Sequence, residues 1–236
     1  MRLLALDTAS GQCSAALFID GAITSRAVQT ARDHARLLLP MIDELLTDSG
    51  QTLRALDGIA FGRGPGSFTG LRIAAAVTQG LAAGADRPVL PVSSLRALAA
   101  QARRTLEAGA SPACATRWLA CMDARMGEVY WGLFDSSLAD TVETVGPPAQ
   151  LLQAVAPPLA GAAGKGLKAY PDIADSLQLP PARMLPEAEP HALDIASLAV
   201  ADLAAGASWV DAALAQPVYL RNQVTHAPKN PVSGRL

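Results

Sequence analysis

The sequence predicts an α/β protein of two lobes related by duplication, and three observations carry that reading. Apolar segments opening at Arg2 and at Trp118 each lead into an aspartate, a polar turn with glycine and a second apolar segment. The two blocks match at a constant offset of 116 residues (123 − 7): Asp7 with Asp123, Gly11 with Gly127, Leu17 with Leu133, Phe18 with Phe134. A pattern repeated at fixed spacing is the mark of internal duplication. A glycine-rich stretch, Gly62 to Gly70, also joins a strand-like run to a helix of small residues, as in an α/β unit. Finally, 236 residues of which 50% are hydrophobic suffice for one large core or two smaller ones.

The elements follow in order. Arg2 to Asp7 reads as a strand, Thr8 to Gly11 as a turn, Cys13 to Ile19 as a second strand closed by Asp20-Gly21, and Ile23 to Val28 as a third. Asp33 is the expected N-cap of a helix from His34 to about Thr47, stopped by Ser49-Gly50. Leu56 to Phe61 reads as a buried strand, Gly70 to about Ala83 as a helix, and Val89 to Val92 as a strand. Ser93 caps a helix to about Leu106, and Glu107 to Thr116 has linker composition. The second lobe opens with the hairpin Trp118 to Asp135. Beyond it, Pro180, Pro181, Pro186 and Pro190 predict an irregular connection, and His191 to Ala205 a helix. Pro217 to Arg221 predicts a short edge strand, and Ala227 to Leu236 a disordered tail. The expected organisation is a lobe over 1–106, a lobe over 117–221 and a tail over 222–236.

Composition narrows the function. Nineteen basic against 21 acidic residues give a formal charge of −2, which argues against a protein that grips a nucleic-acid backbone alone. Cys13, Cys114 and Cys121 lack the spacing of a disulfide framework or zinc site and read as buried small side chains. Asp7 ends the first apolar run too early for a signal peptide, and no apolar run is long enough to span a membrane. These features predict a soluble cytoplasmic protein.

Gly62-Arg-Gly-Pro-Gly-Ser-Phe-Thr-Gly70 could cradle an anion through backbone N–H groups at a helix N-terminus, or could simply position the helix. It completes neither the dinucleotide fingerprint nor the P-loop. Asp7 and Asp123 either orient a cation near phosphates or cap their own turns. Lys165, in Gly161-Ala-Ala-Gly-Lys-Gly166, reads as a solvated turn residue rather than a phosphate ligand. His34, His191 and His226 have no metal-site spacing and read as surface or capping groups. The helix from His34 is apolar on nearly every side, so it must bury a second face somewhere.

Two such lobes resemble the layout of the actin, Hsp70 and sugar-kinase superfamily, an actin-like, ribonuclease-H-like (ASKHA) fold. Gly64-Pro-Gly-Ser-Phe-Thr-Gly-Leu-Arg-Ile73 resembles the hallmark of the TsaB (YeaZ) family more specifically. Leu6-Asp7-Thr8, Asp123-Ala-Arg-Met-Gly-Glu-Val-Tyr130 and Pro217-Val-Tyr-Leu-Arg221 are similar to further blocks of that family. The resemblance implies a non-catalytic subunit that works with a TsaD-like transferase and a TsaE-like ATPase to place threonylcarbamoyl on adenosine 37 of ANN-decoding tRNAs. It implies tRNA contact only through the complex, and a homodimer when the partner is absent. Metal-binding relatives carry two histidines, four residues apart, where this chain has Ser94 and Leu98, neither able to replace imidazole. No catalytic residue, metal or cofactor is therefore assigned, and ATP or ADP at a subunit junction stays open. Gly64, Pro65, Gly66, Ser67, Thr69 and Gly70, with Asp7 and Asp123, form a vestigial phosphate-type loop. The expected partner face is Leu38, Leu39, Ile42, Leu46, Leu71, Ala74, Ala75 and Thr78. The rival reading is an independent nucleotide-dependent phosphotransferase; a metallopeptidase lacks its ligands.

Overall fold

Leu3, Leu4, Ala5 and Leu6 are buried without interruption. A run apolar on both sides belongs to a strand covered on both faces. The computed structural model describes residues 1–108, 117–139 and 141–221, and there this run is the central strand β1 (Arg2–Asp7). It pairs antiparallel with β2 (Gln12–Ile19), which pairs antiparallel with β3 (Ala22–Gln29). On its other side it pairs parallel with β4 (Gly58–Gly64), and β4 pairs parallel with β5 (Val89–Ser93). Helix α1 (His34–Asp48) connects β3 to β4, α2 (Phe68–Ala85) connects β4 to β5, and α3 (Ser94–Glu107) follows β5.

The second half repeats this plan. β6 (Trp118–Arg125) pairs antiparallel with β7 (Glu128–Phe134), and β7 with β8 (Glu143–Gly146). β9 (Gly161–Ala163) joins β6 in parallel, and β10 (Met184–Leu185) joins β9 in parallel. Helices α4 (Pro148–Ala154), α5 (Lys165–Ala169), α6 (Pro171–Ser176) and α7 (Ala192–Ala204) stand where α1, α2 and α3 stand in the first half. The strand orders β3-β2-β1-β4-β5 and β8-β7-β6-β9-β10 are the same topology twice.

The two halves exchange their last helices. Helix α3 packs on β6, β7 and β9, whereas α7 packs on β1, β2 and β4, and the two helices touch each other. Period-2 alternation along β1 explains how one strand serves two layers. Leu4 and Leu6 face α1 and α2, while Leu3 and Ala5 face a core shared by α3, α7 and the first strands of both sheets. That shared core holds Leu98, Trp118, Met122, Ile195 and Ala199, and Leu98, Met122 and Ile195 each contribute about 1.5–3 kcal/mol on burial.

Several local expectations change. Asp33 makes no side-chain cap; its φ of −96° and ψ of 12° lie outside the extended geometry that aims a capping carboxylate at the first turn. Ser93 does cap α3, accepting the Arg96 N–H at 3.0 Å. Helix α2 starts at Phe68 rather than Gly70, because Ser67 Oγ accepts the Gly70 N–H at 3.4 Å. Pro217–Arg221 is not a strand but an extended strap, held by the Val218 N–H donating to the Arg63 carbonyl at 2.8 Å. The proline-marked stretch from Pro180 to Pro190 is irregular but for a 3₁₀ turn, Pro181–Arg183, and the two-residue strand β10. The linker residues 109–116 and the tail 222–236 lie outside the described residues. No helix among the described residues is long and apolar enough to cross a membrane.

Candidate functional site

The two hairpin turns are built alike. Asp7 Oδ1 accepts the Ala9 N–H at 2.9 Å and Asp123 Oδ1 accepts the Arg125 N–H at 2.8 Å, each aspartate closing its own turn two residues on. Asp7 is completely buried, and its other oxygen accepts the Ser94 hydroxyl at 3.0 Å. Burial dominates its chemistry and pushes its carboxyl up from 3.8 to about 6, against the two hydrogen bonds that pull it down. Asp123 stays at the cleft wall, paired with Arg125 at 3.0 Å.

The glycine-rich loop lies directly on the first turn. A Cβ on Gly66 would stand 2.3 Å from the Ala9 carbonyl oxygen, and one on Gly70 would stand 1.9 Å from that of Thr8. The Ser67 N–H donates to the Ala9 carbonyl at 2.7 Å, and the Thr8 hydroxyl donates to the Gly70 carbonyl at 2.7 Å. These glycines admit a close backbone approach between the loop and the turn. Pro65 is buried beneath the loop, and Ser67 and Thr69 are exposed.

Between the lobes lies a cleft of about 920 Å³. Its walls carry Arg125, Lys165, Lys168 and Arg221, and each cation already holds a carboxylate. Lys165 pairs with Glu189 at 2.5 Å, Lys168 with Glu187, and Arg221 with Glu128. Lys165 is thus the first residue of α5 and half of an ion pair, not a solvated turn residue. Its partner Glu189, with a side chain only 4% exposed, also accepts the Gly11 N–H at 3.2 Å and so ties the second lobe to the first turn. Sequence reasoning missed Glu189, which sits in no motif. His34 is buried, its Nε2 lying 2.9 Å from the Ser10 carbonyl, and is not a surface group. His191 caps α7, its Nδ1 accepting the Leu193 N–H at 2.9 Å; His226 and Cys114 lie outside the described residues. Cys13 and Cys121 are buried, and burial raises both thiols, to about 11 and about 12.

Ser94 and Leu98, the positions of the paired histidines in metal-binding relatives, are occupied by other work. Ser94 bonds Asp7, and Leu98 lies wholly within the shared core.

The expected partner face needs correction. Leu38, Ile42, Leu71, Ala74, Ala75 and Thr78 are buried inside the chain, and so is Leu46, at 8% exposure. Their apolar surfaces are consumed by the first sheet and by packing of α1 against α2. Of the eight, Leu39 alone is exposed, at 48%. The outward ridge of α2 is instead Arg72, Ala76, Gly80 and Ala83, with Gly84 beside it, all exposed. A Cβ on Gly80 or Gly84 would meet nothing within 4 Å. Phe68 and Tyr219, missed from the sequence as a pair, are exposed at the cleft mouth with rings 5.7 Å apart.

Comparison with known proteins agrees with this architecture. Residues 27–229 match the family model described as "TsaD: tRNA N6-adenosine threonylcarbamoyltransferase". The chain is 39% identical to the tRNA threonylcarbamoyladenosine biosynthesis protein TsaB of Escherichia coli strain K12, over 95% of this chain and 96% of that protein. It is 37% identical to TsaB of Haemophilus influenzae, over 95% of each. Among solved structures, YeaZ from Pseudomonas aeruginosa superimposes with a TM-score of 0.78 at 41% identity, over 93% of this chain and 99% of that one. With a duplicated, two-lobed actin-like fold and full-length relatives of one kind, the chain belongs to the TsaB (YeaZ) family.

Proposed function

We propose that this chain is a non-catalytic scaffold and activator subunit in the biosynthesis of threonylcarbamoyladenosine in tRNA. In this reading it docks a TsaD-type catalytic subunit and works with a TsaE-type ATPase in the cytoplasm; tRNA is reached through the complex. The observation that carries the reading is the state of the would-be metal position. Ser94 is committed to Asp7 and Leu98 is sealed in the core, so neither imidazole nor space for a ligand remains there. The cleft supports it too: a phosphate entering would have to compete with Asp123, Glu128, Glu187 and Glu189 for the cations on the walls. The outward ridge of α2, bearing Ala76, Gly80 and Ala83, offers the close approach that a partner helix needs.

Reconstituted tRNA modification, run with and without this chain, tests the reading. Modification that depends on this chain is expected. Full activity without it, or turnover of a threonylcarbamoyl donor by this chain alone, would overturn it.

A further inference from the structure

Arg72 stands one turn into α2, exposed, and makes no ion pair or hydrogen bond among the described residues. Its guanidinium lies 3.2 Å over the Phe68 ring centre and 5.5 Å from that of Tyr219. Both rings are themselves open to solvent, Phe68 at 50% and Tyr219 at 43% exposure. Neither ring is loosely placed. Phe68 is the first residue of a long helix capped by Ser67, and Tyr219 follows Val218, whose N–H is bonded to Arg63. Two residues further on, Arg221 anchors the strap to Glu128 of the second lobe.

A guanidinium held by its face over an aromatic ring keeps its in-plane N–H edge free, and that edge fits a carboxylate as a two-pronged donor. The N-terminal end of α2 adds a favourable potential for an anion at the same place. Exposed Phe, Tyr and Arg packed together are also the composition of interface anchor points. Arg72 heads the ridge that continues through Ala76 and Gly80, four residues apart. A protein helix on that ridge would bring its own side chains to the guanidinium. RNA fits less well. The chain carries a formal charge of −2, and the cleft-mouth cations nearby already hold carboxylates.

We infer that the Phe68–Arg72–Tyr219 cluster is an anchor that recognises an acidic side chain of the docked partner subunit. The inference rests on the docking reading above and adds to it the chemistry of one contact.

Calorimetric titration with the purified TsaD-type subunit, at low and high salt, tests it. Arg72→Met keeps the stem over Phe68 and removes the charge. It is expected to weaken association about tenfold at low salt and to flatten the salt dependence. Arg72→Lys, a point charge without the fork, is expected to fall between. Wild-type affinity and salt response in Arg72→Met would overturn the anchor. Gly80→Arg separates the two ideas, because it obstructs the ridge without meeting any atom of its own chain. If Gly80→Arg loses the partner while Arg72→Met does not, the anchor falls and docking stands. If Gly80→Arg binds normally, the partner lies on another face and the anchor falls while docking stands; a wild-type chain that does not bind the subunit at all removes the docking reading itself. Should Arg72→Met bind the subunit normally and weaken only tRNA capture by the complex, the anion is a phosphate and the anchor is overturned.

Discussion

Ser94 donates its hydroxyl to Asp7 across 3.0 Å, joining the first residue of α3 to the last residue of β1 deep inside the molecule. The bond links the hairpin turn of the first lobe to the helix that packs on the sheet of the second. It also leaves Asp7 no path to the cleft, since the carboxylate is wholly buried with both oxygens engaged.

That burial has a pH signature. The Asp7 carboxyl is raised from 3.8 to about 6, so the folded state holds its proton more tightly than the unfolded chain does. The stability this gives is complete below about pH 4 and is lost as pH rises through 6, a change on the order of 3 kcal/mol. Asp7→Asn keeps an acceptor for Ala9 and removes the titration. Its stability relative to wild type is expected to rise between pH 4 and pH 7 by that amount. Urea denaturation at several pH values reads it directly, and parallel curves for the two proteins would refute the assignment.

Helix α1 passes from surface to core along its length, Leu39 and Leu46 lying about two turns apart on one stripe. Leu39 is exposed and Leu46 is packed among Leu4, Leu17 and Ala75 in the outer core layer. Leu39→Glu should leave the melting temperature close to wild type. Leu46→Ala should cost about 2–5 kcal/mol, the range for truncating a buried leucine. Thermal unfolding of the two variants checks this; equal losses would mean the exposure pattern is wrong.

The same helix marks where sequence reading stopped. The hairpins were legible because alternation and the offset between Asp7 and Asp123 are local signals. The surplus apolar residues of α1 were not assignable, because periodicity tells that Leu38 and Ile42 are buried without telling against which chain. The exchange of α3 and α7 between lobes leaves no mark for the same reason: Leu98 and Ile195 read as core in any arrangement. Glu189 carried no motif, and its importance appears only when Lys165 and Gly11 are brought to it. Arg72 lay in the family hallmark, yet its ring partner Tyr219 is far along the chain.

The contact between Gly70 and Thr8 distinguishes a packing loop from a phosphate cradle. With a Cβ only 1.9 Å from the Thr8 carbonyl oxygen, Gly70→Ala must push the loop off the first turn. A loss of about 2–3 kcal/mol is expected, as for other overpacked sites. Since Asp7 is sealed beneath that turn, Asp7→Ala should leave any heat of ATP titration into the isolated chain unchanged. Tight ATP binding that Asp7→Ala abolishes would instead favour a phosphotransferase.

Gly80 gives the sharpest separation of folding from docking. It lies within α2, where glycine is less favourable than alanine by about 0.5–1 kcal/mol because of its backbone freedom. Its missing Cβ would meet nothing within 4 Å, so the chain's own packing does not demand glycine there. Gly80→Ala is therefore expected to stabilise the isolated chain by about that amount. If a partner helix lies on this ridge, the gain comes with a weaker complex, because each added side-chain atom pushes the helices apart. Denaturation of the free chain and sizing chromatography of the mixture with the TsaD-type subunit measure the two effects separately. Gly80→Arg extends the series: a free chain as stable as wild type that no longer co-elutes with the subunit is the expected end point. Stability and co-elution that fall together would mean that Gly80 serves the chain's own fold, and unchanged co-elution would put the partner on another face.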